Sequence, residues 1–299
     1  MQVSAATLAP AAREWLRTTQ RGCVLHVFAR ACNLVNEQNA ILSLVNSPNG
    51  LGPFALQLSS SVPFDMMLDS HVEVACGPNW LCAGPLGIDV SDGGTWRPHP
   101  AWERLRARPN RVAARLGEIR ALLDAHAPEE SIARLTSFRA KPRWLAGELA
   151  FAAADPQLLL LAAGLAESDA NALAIAANAL AGLGPGLTPA GDDYLVGVVY
   201  GLHATRPEPK ATRLSQTIAE AAAPRTNTLS AAWLRAAARG EASAHWHALV
   251  DALAAGGPLE PALLRIIDTG HTSGADALAG FMSVLASEWK RKPILEKTW

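Results

Sequence analysis

The alternation of apolar and polar positions changes character near residue 97. Residues 1 to about 20 carry the spacing of a short amphipathic helix. The period then shortens. Gly22-Cys23-Val24-Leu25-His26-Val27-Phe28-Ala29, Ala40-Ile41-Leu42-Ser43-Leu44-Val45 and Phe54-Ala55-Leu56-Gln57-Leu58 are brief runs rich in β-favouring residues. Between the last two lies Ser47-Pro48-Asn49-Gly50, and an Asn-Gly turn between apolar runs predicts a hairpin. His71-Val72-Glu73-Val74-Ala75 alternates, and Trp80-Leu81-Cys82 and Leu86-Gly87-Ile88-Asp89-Val90 flank a Gly84-Pro85 turn. Many short strands punctuated by Gly, Pro and Asn predict a small β-barrel or sandwich-like domain over residues 1–97.

From residue 98 to 299 the period is helical, so the fold class is α+β. Trp102, Leu105, Val112, Leu116, Ile119, Leu122 and Leu123 approximate a 3.6-residue repeat broken at Pro109. Residues 127–142 read as irregular or as a short helix stopped by Pro128 and Pro142, with helices from Leu145 onward. Pro156 is expected to open one helix and Ser168 to cap the next, which stops at Gly182. Asp192 to His203 is too apolar for an exposed helix and predicts a buried one. Residues 205–210, with two prolines, read as a linker before a helix over 212–222. Thr226 or Asn227 caps another, and helices follow at about 241–254, 260–268 and 275–289.

Two glycine-rich turns interrupt this helical half. The first is Gly182-Leu183-Gly184-Pro185-Gly186-Leu187-Thr188-Pro189-Ala190-Gly191-Asp192-Asp193, and the second is Gly270-His271-Thr272-Ser273-Gly274-Ala275-Asp276. Gly191-x-Asp193-x-Leu195-x-Gly197 is echoed by Gly274-x-Asp276-x-Leu278-x-Gly280. Each turn opens a helix with an acid in its first turn. Helix N-termini suit anions. An anion pocket would draw on Gly184, Gly186, the N–H groups of Gly191 and Gly274, the side chains of Thr188, Thr226, Asn227, Thr272 and Ser273, and Arg225 as the cation. Asp192, Asp193 and Asp276 are candidate ligands of Mg²⁺, the first two foremost. Asp193, Asp276 and His271 are the candidate acid–base groups. The plainer alternative is two well-capped helices with small residues for close packing. No GxxxxGK[ST] loop is present, and Gly182-x-Gly184-x-Gly186 follows a helix, which argues against a dinucleotide fingerprint.

Composition narrows the choice. The 299 residues are 49% hydrophobic and 18% charged, with a net charge of −1 and no dense Lys/Arg block, so attraction to nucleic acid or an anionic membrane is not suggested. No apolar run reaches membrane-spanning length without a charge or a Pro/Gly break, and the first residues lack a signal-peptide profile. Cys23, Cys32, Cys76 and Cys82 form no CxxC pair; free thiols packed in the core of a cytoplasmic protein are the expectation.

The first turn resembles the central signature of the AllH family. Thr226-Asn227-Thr228-Leu229-Ser230 and the second turn resemble its later signatures, and Cys32-Asn33-Leu34-Val35 with Leu42-Ser43-Leu44-Val45 resembles its N-terminal pattern. The likeness runs from about residue 20 to 285. Ala190 departs from it, standing where a serine is expected. The resemblance implies a part in the oxamate carbamoyltransferase of allantoin degradation, in purine catabolism. That activity converts carbamoyl phosphate and oxamate to oxalurate and phosphate. It also implies partner proteins, one of them similar to acyl-CoA synthetases. Two alternatives stay open: a non-catalytic assembly subunit, and a Mg²⁺-dependent hydrolase using the aspartates.

Overall fold

The computed structural model describes residues 1–134 and 148–290. The stop expected at Pro142 and the helix start expected at Leu145 lie outside them. The chain divides into two compact units, residues 1–99 with 241–244, and residues 100–240 with 245–299.

The first unit opens with strand β1 (Gln2–Leu8) and helix α1 (Pro10–Thr18). The amphipathic helix expected over residues 1–20 is thus only its second half. Residues 2–5 alternate in burial, with Val3 and Ala5 inward, a period of two that a helix cannot satisfy, and a register shift between Ala5 and Thr7 brings Leu8 inward as well. Strands β2 (Gly22–Val27), β3 (Ala31–Asn36), β4 (Ile41–Val45) and β5 (Ala55–Leu58) follow. Then come a short helix α2 (Phe64–Met67) and strands β6 (Glu73–Gly77), β7 (Trp80–Ala83), β8 (Leu86–Asp89) and β9 (Gly94–Thr95). The sheet order is β5-β4-β3-β2-β6-β7-β8-β1-β9, and an added β5–β1 pairing closes β1 to β8 into a barrel. Closure removes the edges an open sheet would leave.

The hairpin expected around Asn49-Gly50 is not formed, because β4 and β5 pair in parallel. The type I′ turn that an Asn-Gly pair favours in a hairpin needs positive φ at both central residues. Here Pro48–Gly50 is a 3₁₀ turn, entered through a Ser47 side chain that accepts from the Asn49 N–H, and neither Asn49 nor Gly50 has positive φ. The barrel core comprises Leu8, Trp15, Leu16, Val24, Leu34, Leu42, Leu44, Leu56, Phe64, Leu81, Leu86 and Ile88, among others. Cys32 is buried within it, which pushes its thiol up to about 12; Cys82 is exposed, contrary to the expectation of a core thiol.

The second unit is helical. It runs α3 (Trp102–Arg106), α4 (Pro109–Ala113), α5 (Leu116–His126), α6 (Glu148–Glu167), α7 (Ala170–Leu180), α8 (Ala190–Thr205), α9 (Glu208–Ala222), α10 (Thr228–Ala238), α11 (Ala244–Ala255), α12 (Glu260–Ile267) and α13 (Ser273–Lys290). Pro156 lies inside α6 and does not open it. The cap of α7 is Asp169, whose carboxylate accepts from the N–H groups of Asn171 and Ala172, and not Ser168. The linker expected over 205–210 is mostly helix, since Pro209 falls in the first turn of α9, where proline is at home. As expected, α8 is buried along almost its whole length. Around it pack Trp102, stacked on Tyr200 at 5.6 Å, and Trp246, 4.8 Å from Tyr200 and 5.2 Å from Phe281. No described helix is long and apolar enough to cross a membrane.

Candidate functional site

The two glycine-rich turns join α7 to α8 and α12 to α13, and in each pair the second helix backs onto the end of the first. A Cβ at Gly191 would sit 2.0 Å from the Leu180 carbonyl oxygen, and one at Gly274 would sit 1.6 Å from that of Ile266. The N–H of Gly191 donates to Leu183 O at 2.9 Å, and that of Gly274 to Thr269 O at 3.0 Å. This corrects the sequence reading of these two donors. They are occupied by main-chain carbonyls, and glycine stands there for space.

Farther along, α8 and α13 cross in close contact. A Cβ at Gly197 would lie 1.7 Å from Ala277 O, and one at Gly280 would lie 2.0 Å from Tyr194 O. Exchanging the two copies of Gly-x-Asp-x-Leu-x-Gly maps one contact onto the other. The glycines of the echo therefore record a local two-fold packing, as the plainer alternative held.

The acids of the echo behave differently, because the crossing brings the first turns of α8 and α13 together. Thr188 Oγ1 and Ser273 Oγ share a hydrogen bond of 2.7 Å. Both hydroxyls also bond the Asp193 carboxylate, and that carboxyl group is nonetheless held well above the usual range, first by burial and then by the negative charge of Asp276. Asp276 is fully buried. Its Oδ1 accepts from Ser131 Oγ at 2.5 Å and from the Ile132 N–H at 2.7 Å. Burial pushes Asp276 up to about 6, against the pull of Ser131, Thr272 and the Ile132 N–H. Among the described residues, Oδ2 of Asp193 and Oδ2 of Asp276 are enclosed and have no hydrogen-bond partner.

Asp192 points elsewhere. Its Oδ1 accepts from the Gly182 N–H at 2.9 Å and its Oδ2 from the Thr226 hydroxyl. It is 1% exposed, and burial raises its pKa while these donors lower it. With both oxygens engaged, it ties the start of the first turn to the residue before the α10 cap. Asn227 is that cap, accepting from Ser230 N at 3.0 Å, and its Nδ2 donates to Leu187 O at 2.9 Å. Three turns thus meet: residues 182–189, 226–227 and 270–273. Gly184 and Gly186 have φ of 111° and 101°, which only glycine adopts without strain. Ala190 is buried, and a Cβ added at Gly184 would lie 3.3 Å from its methyl group.

Two sequence candidates sit at the rim. Arg225 is exposed, and its carbonyl oxygen backs onto Gly182. His271 is exposed beside Glu130, with Nε2 3.6 Å from Oε2. Ser131 was not singled out from the sequence; a lone serine in an irregular stretch carries no sign that its partner lies 145 positions away. A surface groove of about 430 Å³ lined by Gln216, Glu220, Pro224, Arg235 and Arg239 shares no residue with the site. Among the described residues no three His, Cys, Asp or Glu side chains cluster as a metal site would.

Residues 180–285 match the family model described as oxamate carbamoyltransferase subunit AllH, and residues 3–95 match that of the AllH family N-terminal domain. No solved structure matches the chain.

Proposed function

The chain belongs to the AllH family, a family of oxamate carbamoyltransferase subunits, and from that premise we propose that its helical unit binds the small anionic substrates of carbamoyl transfer where the three turns meet. The substrates are carbamoyl phosphate and a carboxylate such as oxamate. The observation that carries this reading is the Thr188–Ser273 hydrogen bond, which joins the two turns while both hydroxyls also bond the Asp193 carboxyl group.

The hydroxyls of Thr188, Thr272 and Ser273 and the amide of Asn227 donate to phosphate and carboxylate oxygens. Gly184 and Gly186 let the main chain approach them, and Arg225 adds positive charge at the rim. Thr226 acts through Asp192 as a positioning residue. In the transfer, the amide nitrogen of oxamate forms a bond to the carbamoyl carbon, and the carbon–oxygen bond to phosphate breaks. The nitrogen proton passes to a carboxylate of the Asp193–Asp276 pair and from there to the departing phosphate, with His271 as a second proton carrier at the rim. No covalent intermediate is needed, since orientation of two bound anions carries much of the rate. The reaction is cytoplasmic, and the partner chains include one similar to acyl-CoA synthetases. A non-catalytic assembly role is favoured by one observation, the exposure of Leu159 (74%) on α6, a helix apolar on nearly every side.

Thermal unfolding of the purified chain with inorganic phosphate, carbamoyl phosphate or oxamate tests the reading. A ligand at a hundredfold excess over its Kd stabilises the native state by about 2.7 kcal/mol. A saturable rise in Tm, lost in Ser273→Ala and Thr188→Val, is the expected result. Flat melting temperatures with all three ligands would move the assignment to the assembly role.

A further inference from the structure

A substrate phosphate next to the Asp193 and Asp276 side chains, once these are ionised, is electrostatically unfavourable unless positive charge lies between them. The fold fixes both acids in place. Asp276 is held through Oδ1 by Ser131 and Ile132. Asp193 sits on α8, which cannot draw away from α13 without breaking the contacts at Gly197 and Gly280 that leave no space for even a methyl group. Yet Oδ2 of the fully buried Asp276 and the enclosed Oδ2 of Asp193 lack any hydrogen-bond donor among the described residues. A buried carboxylate oxygen left in this way calls for a partner.

Resting on the substrate reading above, we propose that Asp193 and Asp276 together hold one divalent cation of the magnesium class, which links them to the phosphate of the substrate. The donor set fits. Mg²⁺ takes hard oxygen ligands, binds through one or two carboxylates, and completes its shell with water and substrate phosphate oxygens. Thr188 and Ser273 add hydroxyl oxygens beside Asp193. The set carries no third acid, histidine or thiolate among the described residues, as a zinc site would need. Of the three aspartates read off the sequence as candidate ligands, Asp192 drops out. Asp192 has both oxygens occupied by the Gly182 N–H and the Thr226 hydroxyl.

The test is titration of the metal-free full chain with Mn²⁺ at mildly alkaline pH, read by the loss of the free-ion electron paramagnetic resonance signal, with and without inorganic phosphate. One Mn²⁺ per chain, displaced by Mg²⁺ and held more tightly with phosphate, is the expected result. Asp193→Asn and Asp276→Asn are each expected to weaken it by at least ~10-fold, the loss seen when even an outer partner of a metal ligand is removed. Either variant alone suffices if the other fails to fold. Absence of Mn²⁺ binding at millimolar concentration in the presence of phosphate overturns the proposal, as does unchanged affinity in both variants. Stabilisation by carbamoyl phosphate that is equal in chelator overturns the cation and leaves the substrate reading standing. Mn²⁺ binding that depends on both aspartates, with no effect of any substrate, upholds the cation and sinks the substrate reading.

Discussion

Asp276 is the residue at which fold and chemistry oppose each other. It is fully buried, and its pKa of about 6 lies above the ~4 of an aspartate in an unfolded chain. The folded state therefore binds the proton more tightly than the unfolded state does. Stability contributed by the protonated form is complete below the unfolded value and is lost as pH rises through about 6, with no further loss above it. In metal-free buffer the wild-type chain is expected to fall relative to Asp276→Asn by on the order of 3 kcal/mol across that window. Urea unfolding of both proteins at several pH values measures the difference. A gap that stays constant, or closes as pH rises, would show that Asp276 is not held in this way. Asp276 stood out as a candidate in the sequence from its place in the second turn. Its burial was not, because Ser131 and Ile132, which enclose it, belong to a stretch with no periodic signal.

At the scale of elements, the α8–α13 pair shows what a motif can and cannot say. The repeated Gly-x-Asp-x-Leu-x-Gly was visible from sequence alone, and so was its association with helix starts. Its division of labour was not, since glycine chosen for positive φ and glycine chosen for close approach are written with the same letter. Gly184 and Gly186 are of the first kind, and Gly197 and Gly280 of the second. Gly197→Ala and Gly280→Ala should each destabilise the chain by about 3 kcal/mol or more, because the added methyl group meets a main-chain carbonyl that cannot move aside. Gly117→Ala in α5 is the contrasting change, with nothing within 4 Å of the new Cβ. It should be neutral or stabilise by up to ~1 kcal/mol. Equal effects at the three positions in chemical denaturation would remove the close-crossing account. The same limit explains the β4–β5 error. Asn49-Gly50 is the right composition for a hairpin, but its φ angles are set by Pro48 and Ser47, and the intervening loop carries the chain to a parallel partner. The first strand was missed because alanines mute its alternation, while the barrel that it closes was legible from the punctuation of the other strands.

Over the whole molecule, the barrel core and the proposed site fall in different units. The large barrel cluster, from Val3 to Val90, draws only on residues of the first unit, and the three turns with Asp193 and Asp276 lie in the second. The segment 241–244 belongs to the first unit in space: Ala242 N donates to Pro98 O at 2.7 Å and Ala244 N to Leu51 O at 2.9 Å. A fragment of residues 1–99 would lose these two bonds, each worth about 1 kcal/mol net. It would keep the closed barrel and its core. A domain of about 100 residues with a continuous core is large enough to fold alone. The fragment is therefore expected to unfold cooperatively, with a β-type circular dichroism spectrum and a lower Tm than barrels that retain 241–244. Because every residue assigned to substrate lies outside it, carbamoyl phosphate and inorganic phosphate should leave its Tm unchanged while raising that of the full chain. A ligand-dependent rise in the fragment would place a substrate site in the barrel and take it away from the meeting point of the turns; a fragment without a cooperative transition would make residues 241–244 part of what the barrel needs to fold.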